Sequence, residues 1–325
     1  GHVNRPGVYE MPTGVPLPPS IPKTESFIEF GKELTAEGRF VTKTTVDFTG
    51  SVSTRERRVL DRASFSGRVT MEEGETRIEA DSIDLGFAAQ PGGRGDRQAV
   101  ERMIGRGDVV MIQGADRITC REIDVALATD ADGRSQPRVA TATGDVAAVQ
   151  GERTLHARDK LVVDFDRVED DAKRNDEARS RTGVKRLQAF GAVTVFDPAQ
   201  KLDLSAGQLD CSVVKGREIE KALVTGTADR PATVRLDTLT VTGHQITLDV
   251  PNQWAEVPGE GRLTLLSRKD LDGRKVSNPI PIVVTWADSM KYRGRENRAV
   301  FNGRVHATSE TTTTFDCDQL LVEFD

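Results

Sequence analysis

One pattern constrains this chain above all others: a glycine, an apolar residue two positions later, a turn, and then a second run in which apolar and polar residues alternate. Phe65-Ser-Gly67-Arg-Val69-Thr-Met71 leads through Gly74 to Ile78, Ala80, Ile83, Leu85 and Phe87. Gly107-Asp-Val109-Val-Met111 leads through Gly114 to Ile118, Cys120, Ile123, Val125 and Leu127, position for position. The pattern returns at Gly144 and Gly303 and, in weaker form, at Gly191, Gly226 and Gly261, so successive anchors stand 35 to 47 residues apart. A spacing of two places the apolar side chains on one face of a strand, where a helix would need spacings of three and four. The expected fold class is all-β, an elongated chain of about seven repeated antiparallel strand pairs.

Five of the second strands also carry a step of three, at Ala80 to Ile83, Cys120 to Ile123, Ala206 to Leu209, Gly243 to Ile246 and Cys317 to Leu320. One extra residue exchanges the two faces, so a bulge or corner is expected at each step, and recurring corners mean a folded-over sheet. Six of the 14 prolines fall within the first 22 residues. Proline lacks the ladder donor and favours polyproline geometry, so residues 1–25 are expected to form an extended arm or tether. Residues 26–325 form the repeated β-domain, with sub-modules at about 26–250 and 251–325. Ala88 to Gln98, Ala128 to Arg138 and the charge-dense Asp166 to Arg186 are expected to be loops, and Arg268 to Asn278 an insert. The sequence stops at Asp325 directly after a last apolar alternation, so either it is cut short there or an open sheet edge receives a partner strand.

Lys and Arg number 45 against 51 Asp and Glu. A net charge of −6 lacks the clustered basic charge that phosphate neutralisation needs, which argues against nucleic acid as a partner. The longest apolar candidate, Ile280 to Trp286, is far short of a bilayer span. Without a basic segment and apolar core at the start, the chain is either cytosolic or a secreted protein whose signal has been removed. Cys120, Cys211 and Cys317 form no C-x-x-C pattern and are expected to be small buried hydrophobes.

The chemistry-bearing residues point away from catalysis. His156, His244 and His306 lie in separate repeats with no acid or nucleophile pattern around them. Asp130-Ala-Asp132-Gly133 and Asp270-Leu-Asp272-Gly273 begin like calcium loops but lack the remaining ligands. Pro91-Gly-Gly-Arg-Gly95 has no Lys-Ser/Thr after it and no strand-to-helix setting. Asp81, Glu122 and Asp159 recur near equivalent repeat positions, which reads as architecture rather than as the paired carboxylates of a glycosidase. No catalytic residue, metal or cofactor is expected.

What remains is an aliphatic face: Val69, Met71, Ile83, Leu85, Val109, Met111, Ile123, Val125, Val163, Phe165, Leu209, Ile246, Leu248, Trp286, Met290, Leu320 and Val322. Periodicity alone leaves two readings open, a closed core and a groove for acyl chains.

Gly107-Asp-Val-Val-Met-Ile-Gln-Gly114-Ala-Asp-Arg-Ile-Thr-Cys-Arg-Glu-Ile and Gly144-Asp-Val-Ala-Ala-Val-Gln-Gly151-Glu-Arg-Thr-Leu-His-Ala-Arg-Asp-Lys-Leu resemble the repeat of the OstA-like, LptA-type proteins of lipopolysaccharide transport, a family that includes the amino-terminal domain of LptD. Trp286-Ala-Asp-Ser-Met290-Lys-Tyr292 with Arg298-Ala-Val-Phe301-Asn-Gly303-Arg-Val305 resembles the LptC-related form of the same repeat. The resemblance covers about Phe48 to Asp325. It implies an open, V-shaped β-jellyroll in the periplasm whose groove shields the acyl chains of lipopolysaccharide, with other OstA-like proteins joined edge to edge as partners. It favours the groove over the core, and Arg68, Arg77, Arg106, Arg117 and Arg121 as rim charge for an anionic headgroup. A structural or assembly module of the envelope, using its sheet edges without lipid, is the alternative.

Overall fold

The computed structural model describes residues 2–3, 9–10, 26–46, 52–73, 75–89, 98–129, 135–168, 181–214, 218–269, 271, 274–309 and 314–323. Among these the regular elements are β-strands, apart from a single 3-10 turn at Gly294–Glu296, and 22 strands belong to one antiparallel sheet. None of the described helical residues is part of a helix long and apolar enough to cross a membrane. The Pro-rich arm falls outside the described residues except for His2–Val3, which pairs with Tyr9–Glu10. The chain divides into two compact units, residues 1–144 and 145–325. The sequence had suggested a division near 250.

In the first unit the strands Glu33–Val46, Val52–Glu73, Thr76–Ala89, Gln98–Gln113, Asp116–Thr129 and Ser135–Thr143 pair in chain order as an antiparallel meander. Register places Phe65, Ile83, Gly105, Ile123 and Ala142 in one cross-strand row, with Ala63, Leu85, Met103, Val125 and Ala140 in the next. Residues in register share a face, so period-two alternation along each strand becomes a continuous apolar surface across them.

The expected corners are present. Gly67-Arg68 and Gly107-Asp108 each place two residues opposite one on the next strand, and the register shifts between Ser66 and Val69 and between Arg106 and Val109. Both members of each pair have left-handed backbone, φ +88° and +58° at Gly67-Arg68 and +76° and +44° at Gly107-Asp108. The same signature marks Gly144-Asp145, Gly191-Ala192 and Gly303-Arg304. Across from them, the Thr76–Ala89 strand shifts register between Glu79 and Ser82, at the step of three. A two-against-one bulge lets each strand change faces without turning its apolar side outward.

Gly226 and Gly261 depart from this scheme, for neither has positive φ. A Cβ on Gly226 would meet the Arg230 carbonyl oxygen at 2.6 Å, and one on Gly261 would meet the Trp286 ring at 2.4 Å. Here the chain breaks into the short strands Glu218–Thr225, Ala232–Leu236, Leu239–Gly243, Gln245–Asp249 and Trp254–Pro258, so it passes between rows through turns rather than bulges. Glycine serves there for close approach and not for handedness.

In the second unit one apolar row runs Leu161, Ala189, Leu209, Val224 and Ile246, and the row outside it runs Val163, Leu187, Cys211, Ala222, Leu248, Ala255, Tyr292, Ala299 and Val322. A second set runs Leu155, Val195, Leu204, Val234, Val241, Leu263, Val284, Ala307 and Phe315, with Leu202, Leu236, Leu239, Leu265 and Ile282 outside it. The strands Arg181–Asp197, Leu202–Val214, Arg298–Ser309 and Thr314–Glu323 contribute to both sets, on either side of their bends.

Strands also run on into segments expected to be loops. Ala88 and Ala89 pair with Ala99 and Gln98, Ala128 pairs with Gln136, and Asp166 pairs with Gly183, because backbone pairing does not require apolar side chains once a hairpin is in register. The run Glu169 to Arg179, Pro91 to Gly95 and Asp130 to Gly133 lie outside the described residues, as does most of Asp270 to Gly273.

Candidate functional site

The aliphatic face is graded in depth. Val69, Ile83, Val109, Ile123 and Ile246, which stand next to the corners, are at most 2% exposed. Leu85, Val125, Leu209, Trp286 and Met290 are also buried. Within each unit, therefore, these candidates are the deep members of the apolar face. Met71, Met111, Val163, Phe165, Leu248, Leu320 and Val322 are half-buried.

The outer rows hold apolar residues that the sequence reading passed over. Leu236 is 47% exposed yet in register with half-buried Leu202 and Leu239. Ile219, 46% exposed, pairs with Val213 just beyond the buried Cys211 and Ala222. Phe315, 43% exposed, ends the row of Ala307 and Val284. Extending the alternation one more step from each buried residue finds them: Ala232, Val234, Leu236 and Leu239, Val241, Gly243 continue the period in segments that lack a clear anchor glycine.

Toward the end of the second unit this face opens into a cleft of about 750 Å³. Leu263, Ile282, Val284 and Ala307 line it from one set of rows, Phe301, Leu320 and Val322 from the other, with Leu265, Leu266, Leu271, Arg268 and Lys269 also on its walls. Such a volume lies within the ordinary range of small-ligand pockets, which bind chiefly by apolar contact. Cys317 lines the same cleft and is only half-buried, whereas an inward, protected position had been expected. Burial pushes the Cys120 thiol up to about 11 and that of Cys211 up to about 12.

The expected rim arginines are elsewhere. Arg77 and Arg106 alternate with buried Ile78 and Gly105 and so lie on the opposite face. There Arg77 meets Glu79 at 2.6 Å, and Arg106 meets Asp84 at 2.6 Å and Glu122 at 3.0 Å. Arg62 reaches the same Asp84 carboxylate at 2.9 Å. Burial alone would raise the Asp84 carboxyl, but the Ser64 hydroxyl, Arg106 and Arg62 outweigh it and hold the group below its usual range. Arg117 and Arg121 are exposed, with Arg121 packed against Gly144, and Arg68 is an exposed bulge residue.

Asp81, Asp159 and Asp288 pack against Gly107, Gly191 and Gly303, so the recurrence of carboxylates belongs to the corner. His156, His244 and His306 are exposed, His156 and His306 on separate strands and His244 in the bend between Leu239–Gly243 and Gln245–Asp249, and His306 Nδ1 lies 2.7 Å from Asp316 Oδ1 on the adjacent strand. Among the described residues no group of three His, Cys, Asp or Glu side chains is placed to hold a metal ion.

No protein-family model matches the chain, and no curated protein is significantly similar to it.

Proposed function

We propose that this chain is a non-enzymatic periplasmic carrier of lipopolysaccharide, a bridge segment that passes acyl chains along the apolar face between the inner and outer membranes. In this reading the repeats, about seven by their anchor glycines, build an open V-shaped β-jellyroll of the OstA-like kind, and other proteins of that kind adjoin its edges. One observation carries the reading: exposed Phe315 ends the row of buried Val284 and Ala307, and exposed Leu236 stands in the row outside it between half-buried Leu202 and Leu239, so the core continues to the surface as an apolar lip. Each methylene drawn from water onto such a lip contributes about 0.8 kcal/mol, so a long chain is held without polar recognition.

The test is co-elution. The purified chain is mixed with lipopolysaccharide or with phosphatidylcholine, passed over a sizing column, and the protein peak is assayed for lipid. The expected result is lipopolysaccharide in the parent peak and markedly less in Leu236→Asp and Leu265→Asp, each checked for retained β-sheet circular dichroism. A monodisperse parent peak free of lipid would overturn the carrier and leave the envelope-assembly module in its place.

A further inference from the structure

The two tryptophans of the chain are used in opposite ways. Trp286 lies in the core, where its indole N–H donates to the Gly259 carbonyl at 3.0 Å and its ring packs against Phe301 with centroids 5.2 Å apart. Trp254 is only half-buried. Among the described residues nothing accepts from its indole N–H, and neither an aromatic ring nor a cation is paired with its own ring. An indole combines a broad apolar surface with one strong donor, and here the protein uses neither.

Trp254 lies on the charged side of the sheet. It alternates with Ala255, a member of the apolar rows, and so belongs to the face opposite the cleft. In register it stands between Asp249 and Arg293, and Arg293 in turn faces Arg298. Like charges directly opposite each other across a strand pair are unfavourable by themselves. Glu296 serves both, at 3.2 Å from Arg293 and 4.0 Å from Arg298, so two guanidinium groups share one carboxylate. On the other side of the ring the charge is reversed. The Asn252 backbone N–H and side-chain amide donate to the two oxygens of Asp249 at 3.2 and 3.1 Å, and Lys221 lies 4.0 Å away. A carboxylate has about four acceptor positions, so Asp249 is fixed in place and still has capacity for further donors.

We propose that Trp254 is the platform of a binding site for an acidic saccharide. A sugar ring lays its C–H face on the indole, its hydroxyl groups donate to Asp249, and its anionic oxygens meet the guanidinium pair of Arg293 and Arg298. The planar fork of arginine suits the paired oxygens of a phosphate or a carboxylate. The site is on the face away from the apolar rows, so its ligand is a soluble saccharide, and it stands independently of the carrier reading.

Saturation-transfer NMR on the full chain tests this, with glucose 6-phosphate, glucose and inorganic phosphate as probes. The expected result is transfer to the sugar protons of glucose 6-phosphate, weaker transfer to glucose, and a glucose 6-phosphate signal that survives equimolar inorganic phosphate. Trp254→Ala is expected to weaken binding about tenfold with its thermal midpoint retained, as removal of a central aromatic anchor does. The double variant Arg293→Gln with Arg298→Gln is expected to bring glucose 6-phosphate down to the level of glucose. If Trp254→Ala fails to fold, this double variant decides, because both arginines are exposed. No transfer to either sugar in the parent, or undiminished transfer in the folded variants, overturns the site. A signal abolished by equimolar phosphate overturns the saccharide and leaves an anion site. None of Trp254, Asp249, Arg293 and Arg298 lines the cleft, so lipid uptake is read separately from every one of these outcomes.

Discussion

Gly107 rests directly against Asp81: a Cβ on the glycine would lie 2.2 Å from Oδ2 and 2.7 Å from Cβ of the aspartate. The glycine also has φ +76°, so its substitution brings two separate penalties. Gly114, at φ +60° with nothing within 4 Å of its would-be Cβ, brings only one.

Gly107→Ala is accordingly expected to lose about 2–4 kcal/mol, left-handed strain plus crowding, and Gly114→Ala about 1 kcal/mol from strain alone. Urea unfolding of the two variants measures the difference. Equal losses would mean that the contact with Asp81 has no energetic weight.

Depth along the apolar face separates the next pair. Ile123 is 2% exposed, so Ile123→Asp buries an unpaired carboxylate and is expected to unfold the chain or cost several kcal/mol. Leu236 is 47% exposed, and Leu236→Asp is expected to stay within about 1 kcal/mol of the parent. The Leu236 variant therefore tests lipid uptake and the Ile123 variant tests only folding. Circular dichroism melts decide it: a folded Ile123→Asp with a parental midpoint would show the inner row to be open.

The strands, their shared face and most corners were legible in the sequence because each is fixed by local spacing. Gly67, Gly107, Gly144 and Gly303 announce themselves, since a left-handed pair in a strand needs glycine at its first position. Gly226 and Gly261 look the same in sequence but answer a different need, close approach of the Arg230 carbonyl and the Trp286 ring, which only the folded chain supplies. Alternation likewise names a face without its depth. Met111 and Ile123 have equivalent apolar patterns, yet one is half-buried and the other 2% exposed, because depth depends on what the folded chain packs over each position. Leu236 and Leu239 were missed for the same cause: they join the face through register with Leu202 and Leu265, strands far away in the chain.

The cysteines give a chemical measure of this grading. Cys120 and Cys211 are buried, with thiols raised to about 11 and about 12 chiefly by desolvation, so almost none of either is thiolate near neutrality. Cys317 lines the open cleft. With a disulfide dye at pH 8, fast labelling of Cys317 alone is expected, followed by the other two once urea is added. Rapid labelling of Cys120 or Cys211 in the folded chain would contradict the closed core around them.

The charged face should set the acid stability. Asp84, despite burial that works the other way, is held below its ordinary 3.8 by Ser64, Arg106 and Arg62. Asp210 is lowered by the Arg186 guanidinium, 2.5 Å away, and further by Gln188, against opposing burial. A carboxyl with a lower pKa folded than unfolded stabilises the fold above the unfolded value, and that contribution drains away as pH falls through 3.8 toward the folded value. Asp84→Asn should therefore lower the thermal midpoint at pH 7, where the parent carboxylate is fully paired. Well below pH 3.8 the two midpoints should converge, because the parent group is then protonated as well. A constant gap between parent and variant across that range would mean that Asp84 acts through packing, with its charge contributing nothing to stability.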